Sequence, residues 1–190
     1  MNVEFIGFPK IGRISRLCTI TEKLDGTNAQ IYIGEDGTFL AGSRSRWITP
    51  NSDGKVTDNY GFAEWAYAHK DELMTLGPGR HFGEWWGLGI QRNYGLPYKK
   101  FSLFNAGRWL DKPNKLVSLD IVPVLFNGEF STENVDAVLS DLKINGSKAV
   151  PGYLKPEGIV VYHHGNKSLF KKTIEYDTVA KSQTNQVACA

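Results

Sequence analysis

Short runs of β-forming residues, punctuated by glycine-rich turns, dominate this chain. Residues 17 to 24 (LCTITEKL) and 29 to 33 (AQIYI) are such runs, and Gly34-Glu35-Asp36-Gly37 supplies a turn into Thr38-Phe39-Leu40-Ala41. The pattern predicts an antiparallel meander. Further strands are expected at 80 to 86 (RHFGEWW), 101 to 106 (FSLFNA) and 116 to 126 (LVSLDIVPVLF), the last with Pro123 at an edge or bulge. Two more, 158 to 163 and 168 to 174, are joined across His164-Gly165-Asn166. Helical spacing is confined to two places. Phe62, Trp65, Ala66, Leu73 and Leu76 mark a helix over 61 to 76, stopped by Gly77-Pro78-Gly79. Ser131-Thr132 caps a second through about Leu142, with Val135, Val138, Leu139 and Leu142 on one stripe and Asn145-Gly146 at its end. Residues 45 to 60 are rich in Pro, Asn, Asp and Gly and read as a long loop. The result is one α+β domain of antiparallel sheets with flanking helices, over 1–176, followed by a short polar tail at 177–190.

With 190 residues, 41% of them apolar, the chain can bury one substantial core. A net charge of +2 means that any basic surface is local. Cys18 and Cys189 form neither a metal-spaced pair nor a disulfide framework, so a reducing compartment is expected. No run approaches a membrane span, and the start lacks the features of a signal peptide; a soluble, cytoplasmic protein with no membrane partner is expected.

The residues that ask for a chemical explanation are charges on strands. In T-E-K-L-D-G-T-N, residues 21 to 28, alternation puts Lys23 and Asp25 on one face and Glu22 and Leu24 on the other. Gly26 then lets the backbone turn or approach a ligand. Glu84 lies within Phe82-Gly83-Glu84-Trp85-Trp86-Gly87, Glu157 opens Glu157-Gly158-Ile159-Val160-Val161, and Lys171 and Lys172 interrupt an apolar strand. A charge on an apolar strand is costly without a partner or ligand. Gathered together with Arg44 and Arg46, these groups make a polar cleft between sheets.

T-E-K-L-D-G-T-N resembles the nucleotidyltransferase signature of ATP-dependent nucleic-acid ligases and mRNA-capping enzymes. The later segments follow in that superfamily's order. Ser43-Arg44-Ser45 resembles its short arginine motif, Phe82-Gly83-Glu84 motif III, Phe101-Ser102-Leu103-Phe104 motif IIIa, Glu157-Gly158-Ile159-Val160 motif IV and Phe170-Lys171-Lys172 motif V. Phe8-Pro9-Lys10-Ile11-Gly12-Arg13 is similar to the lead-in of phage-type RNA ligases.

The resemblance implies a single adenylation domain with an ATP-grasp-like cleft; many relatives add a C-terminal domain, often an OB-fold, which the short polar stretch after motif V leads us not to expect here. The resemblance also implies an ATP-dependent RNA ligase that joins 5′-phosphate to 3′-hydroxyl ends through a lysine-AMP intermediate, in RNA repair. Lys23 is then the nucleophile. An ordinary lysine amine has a pKa of about 10.4, so Arg44, Lys171 or Lys172 and a divalent metal are expected to favour the neutral form and to stabilise phosphoryl charge. Glu84 contacts the ribose or a metal-bound water, Phe104 stacks on adenine, and Glu157 helps hold Mg²⁺, with Mn²⁺ as the alternative. Glu22 faces the adenine edge. Asp25 and Gly26 complete the motif around the nucleotide, and Asn28 and Arg44 contact the nucleotide or the incoming 5′-phosphate. Two features depart from the motifs: Lys171 and Lys172 are adjacent where two lysines usually stand one residue apart, so Lys171, which shares a face with Thr173, is favoured, and Asn105 stands where an acid often follows the second aromatic. The partners are nucleic-acid ends, RNA before DNA, bound by a monomer, in the host cytoplasm if the chain is phage-encoded. Either this minimal domain suffices for end recognition or a separate domain or partner protein supplies it. A GTP-dependent capping guanylyltransferase, a DNA ligase and a catalytically silent nucleic-acid-binding module are the alternatives.

Trp65, Trp85, Trp86 and Trp109 read as core, whereas Trp47, beside Arg44, Arg46 and Lys55, reads as the exposed ring, either able to stack on an unpaired base or, at least as well, a packed loop anchor. Gln91-Arg92-Asn93-Tyr94 with Tyr98-Lys99-Lys100 is a second candidate nucleic-acid surface. His163-His164 is expected to be exposed, and His81 to be packed or solvated. Gly87-Leu88-Gly89-Ile90-Gln91-Arg92 lacks the third glycine of a dinucleotide loop, no P-loop is present, and no Cys/His cluster suggests zinc.

Overall fold

Strand β1 (Leu17–Lys23) sets the architecture, because its alternation buries Cys18, Ile20 and Glu22 and turns Thr19, Thr21 and Lys23 to the other side. The computed structural model describes residues 3–56, 58, 60–109 and 118–178. Beyond β1 the strands are β2 (Thr27–Ile33), β3 (Phe39–Ser43), β4 (Trp47–Ile48), β5 (Gly79–Gly87), β6 (Lys99–Leu103), β7 (Leu119–Ile121), β8 (Val124–Glu129), β9 (Gly158–His163) and β10 (Ser168–Thr173). They form a four-stranded sheet of order β10-β9-β1-β8 and a six-stranded sheet of order β4-β3-β2-β5-β6-β7. Every pairing is antiparallel except β6 with β7.

Each sheet buries one face under helices. Helix α1 (Phe62–Ala68) continues after a break at His69 into α2 (Lys70–Leu73), and both cover the six-stranded sheet through a core of Ala29, Ile31, Ala41, Phe62, Ala66, Leu73, Trp85 and Phe101. His69 leaves helical geometry at φ −111°, so the single helix expected over 61 to 76 is in two pieces plus a closing 3₁₀ turn at Met74–Leu76. A short helix α3 (Ala106–Trp109) follows β6. Helix α4 (Thr132–Asn145) covers the other sheet with Val135 and Leu142; the Ser131 hydroxyl accepts from the Asn134 amide as the expected N-cap.

A third cluster of Leu24, Trp86, Tyr94 and Val122, with Tyr153 against it, ties the two sheets together at one end. The segment expected as one strand over 116 to 126 does this in part. Its residues 116 and 117 lie outside the described residues, and the rest splits at Pro123 into β7 and β8, which belong to different sheets. A proline cannot continue a ladder, and here its carbonyl accepts from the Glu22 amide at the crossover. The 45 to 60 loop contains the two-residue β4, and residues 179 to 190 of the tail lie outside the described residues.

Two expectations about surface residues are corrected. His163 is buried because its register partner is Cys18; its Nδ1 accepts from the Asn166 amide, leaving Nε2 to donate to the Ile14 carbonyl at 2.7 Å. The 91 to 100 surface is engaged in the fold: Tyr94 is buried, Lys99 donates to the Tyr60 carbonyl and Lys100 pairs with Asp120 at 2.6 Å. Among the described residues no helix is long and apolar enough to cross a membrane.

Candidate active site

Lys23 ends β1 opposite Gly158, which starts β9, and so stands beside Glu157. Its Nζ lies 2.6 Å from Glu157 Oε2, with the carboxylate almost fully buried and the amine partly exposed. The nearest group to the amine is therefore a carboxylate rather than the expected cation.

Glu84 approaches from the six-stranded sheet. Its register partner is Asn28, whose Nδ2 donates to Oε2 at 2.8 Å, while the Gly26 amide donates to Oε1 at 3.1 Å. A Cβ on Gly26 would lie 2.3 Å from the Trp85 carbonyl oxygen, so only glycine allows the turn after Lys23 to sit this close to β5. Burial pushes the Glu84 carboxyl up to about 7, against the pull of Lys23 and its two hydrogen-bond donors and with a further push from Glu157. The Gly26 amide holds Glu84 three residues along from Lys23, and Lys23 in turn holds Glu157, so the three line one cleft. The two glutamates suit a hard cation held by one or two carboxylates plus substrate phosphates, the usual arrangement for Mg²⁺. Among the described residues no group of three or more His, Cys, Asp or Glu could hold a metal alone.

Strand register separates the adjacent lysines. Lys171 pairs with Val160, and Val160 with Thr21, so Lys171 shares the face of Thr21 and Lys23. Lys172 pairs with buried Ile159 and reaches the other side, where it meets Asp136 of α4.

The structure gives Glu22 and Asp25 partners within the fold. Glu22 is 1% exposed, accepting from the Ser147 hydroxyl at 2.6 Å and from the Lys148 and Ala149 amides at 2.8 and 3.0 Å. Burial raises its pKa, and those donors oppose the rise. It lies on the α4 side of β1, away from Lys23, which corrects the expectation that it faces a nucleotide edge. Asp25 lies beyond the end of β1, and Oδ2 accepts from Arg92 Nε at 3.0 Å while its amide donates to the Tyr94 hydroxyl at 2.9 Å. Arg92 also donates to the Lys155 carbonyl, two residues before Glu157, so the 88 to 98 loop braces both segments around the amine. Gln91, Asn93 and Tyr94 hold positive φ of 46°, 61° and 53° there, an arrangement costly for non-glycine residues.

Phe104 is half-exposed just after β6, and its amide donates to the Phe82 carbonyl. Phe82, also half-exposed, entered the sequence reading only within Phe82-Gly83-Glu84 and was given no role, although its two-residue spacing from Glu84 puts it on the same face. Arg44 is exposed in the β3–β4 turn, whereas Arg46 lines a recess of ≈ 160 Å³ with Thr27, Asn28, Ser43 and Asp58.

A family model described as RNA ligase matches residues 16–181. Solved structures of RNA ligase from Naegleria gruberi share the fold. An apo mutant superposes with TM-score 0.60 at 21% identity, over 83% of this chain and 49% of that one. A mutant with ATP and Mn gives 0.58 at 21% identity over 82% and 48%, and the enzyme with PPi gives 0.56 at 19% over 92% and 52%. The chain spans about half the length of these proteins. No curated protein matches it by sequence.

Proposed function

The chain belongs to the RNA ligase family, and from that premise we propose that it is the adenylation domain of an ATP-dependent RNA ligase, with Lys23 as the nucleophile. The observation that carries the reading is the convergence of Lys23, Glu157, Glu84 and the Lys171 face on one cleft.

In the first step Nζ of Lys23 attacks the α-phosphorus of ATP. A P–N bond forms, the P–O bond to pyrophosphate breaks, and the amine proton leaves Nζ, with Glu157 Oε2 the acceptor within reach at 2.6 Å. AMP then passes to a 5′-phosphate oxygen as the P–N bond breaks, and a 3′-hydroxyl displaces AMP to form the phosphodiester. Bound Mg²⁺ or Mn²⁺, flanked by Glu84 and Glu157, would neutralise phosphate charge. The Lys23–Glu157 contact aims the amine, Lys171 faces the phosphates, Asn28 holds Glu84 toward the ribose, and Phe104 offers its ring to adenine. Arg44 at the cleft mouth faces the incoming 5′-phosphate. A phage-type origin, a cytoplasmic setting, a monomeric state and end recognition by a further domain or partner protein belong to the same proposal. The lead-in at residues 8 to 13 supports the first of these, and the half-length match to the Naegleria structures supports the last.

Mass spectrometry of the purified protein after treatment with ATP and Mg²⁺, beside Lys23→Ala and a GTP arm, tests the proposal. An AMP adduct on the wild type alone is expected. A GMP adduct would point to a capping-type guanylyltransferase, and no adduct with either nucleotide to a silent nucleic-acid-binding module.

A further inference from the structure

The open face of the six-stranded sheet carries a second row of side chains beside the one that holds Glu84. Trp47 pairs with Gly42, Gly42 with Gln30, and Gln30 with Phe82, whose carbonyl accepts from the Phe104 amide. Partners in register share a face, so Trp47, Gln30, Phe82 and Phe104 form one line across the strands. With neighbouring strands about 4.8 Å apart, four such steps reach roughly 19 Å from Phe104 to Trp47. Gly42 contributes no side chain to the line, and the Trp47 ring occupies the vacated space: a Cβ there would lie 2.8 Å from Trp47 Cε3. One row further along, Arg80 pairs with Tyr32, and its guanidinium stands 5.2 Å from the Tyr32 ring centre and 5.3 Å from that of Trp47.

These rings remain open. Phe82 is 50% exposed and Trp47 36%, and Arg80 is exposed. Large apolar rings at that exposure on a sheet face are not core. The charged groups beside them are cations, Arg80 against Tyr32 and Trp47, with Arg44 in the adjoining β3–β4 turn. Flat rings with guanidinium groups at their edges match the two parts of an unpaired polynucleotide, stacked bases and phosphates.

Building on the ligase reading above, we propose that the Phe82–Gln30–Trp47 row with Arg80 is the track for the single-stranded RNA end whose 5′-phosphate is activated at Lys23. Phe104 sits at the nucleotide end of the track. Phe82 and Trp47 stack on unpaired bases separated by at least one nucleotide, Gln30, held by Arg80 and the Ser43 carbonyl, spaces the two rings, and Arg80 lies along the phosphates.

The test is anisotropy binding of a 5′-phosphorylated single-stranded oligoribonucleotide in EDTA without ATP, so that it does not depend on adenylation. Trp47→Ala should bind about tenfold more weakly, Trp47→Phe should recover most of the loss, and Arg80→Gln should weaken binding and flatten its salt dependence. AMP attachment to Lys23 should stay within about twofold of wild type in all three, whereas a merely structural role for Trp47 would lower both together. The proposal is overturned if Trp47→Ala binds as wild type, if adduct formation falls in step with binding, or if blunt duplex RNA, whose bases are covered, competes as well as the single strand. A wild type that takes no AMP yet binds RNA through Trp47 would leave the track standing and remove the ligase reading. A wild type that takes AMP while the variants bind normally would do the reverse.

Discussion

Lys172 is tied to Asp136 on α4, and that contact takes it off the strand face that Lys171 shares with Thr21 and Lys23. The two neighbours should therefore behave differently. Lys171→Ala should slow AMP attachment about a hundredfold, the scale of losing one positioned charge near a phosphoryl group. Lys172→Ala should keep its rate and lose under about 1 kcal/mol, as expected for an exposed pair. Single-turnover labelling of both variants decides it; equal losses would mean that the register does not sort their roles.

Glu157 meets Lys23 at 2.6 Å while almost wholly buried, so its charge counts for more than that of a surface acid. Glu157→Gln keeps the size and a hydrogen-bonding oxygen but removes the charge and the proton acceptor. AMP attachment should fall by about a hundredfold or more, with a near-native melting temperature. A rate within a few-fold of wild type would show that Glu157 neither aims nor deprotonates the amine.

Glu84 should make stability depend on pH. Its carboxyl is pushed up to about 7 from 4.5, so the folded state holds this proton more tightly than the unfolded chain. The contribution is fully present below about pH 4.5 and is lost as pH rises through 7, on the order of 3 kcal/mol in all. Denaturant melts in EDTA at pH 5 and pH 8 should show the wild type losing more stability on the alkaline side than Glu84→Gln. Parallel losses in the two proteins would remove the shift.

The sequence made the site's strands legible because its charges interrupt apolar runs whose period is two. That period put Lys23, Glu84 and Glu157 on or beside strands and helical spacing located the two helices, but the resemblance of the ordered motifs was needed to single these charges out; the Lys171/Thr173 alternation put Lys171 on the face that the register gives it beside Lys23. What stayed hidden depends on distant partners. Asp25 meets Arg92, Glu22 meets Ser147 and His163 pairs with Cys18, contacts separated by stretches that no local pattern spans. Phe82 was hidden for another reason: an exposed ring and a core ring look alike in a sequence until register shows which face each occupies.

Glu22 separates the two kinds of reading most sharply, since its place beside the nucleophile suggests a nucleotide contact and its actual partners are Ser147, Lys148 and Ala149. Removing the carboxylate leaves a buried hydroxyl and two amides without their acceptor, at a cost of about 3 kcal/mol. For a chain of this length that lowers the melting temperature by roughly 6 to 12 °C. Glu22→Ala should therefore melt early, yet at low temperature it should label with AMP at a KM for ATP within about twofold of wild type. A native melting temperature with a KM raised tenfold would return Glu22 to the nucleotide and break the loop assignment.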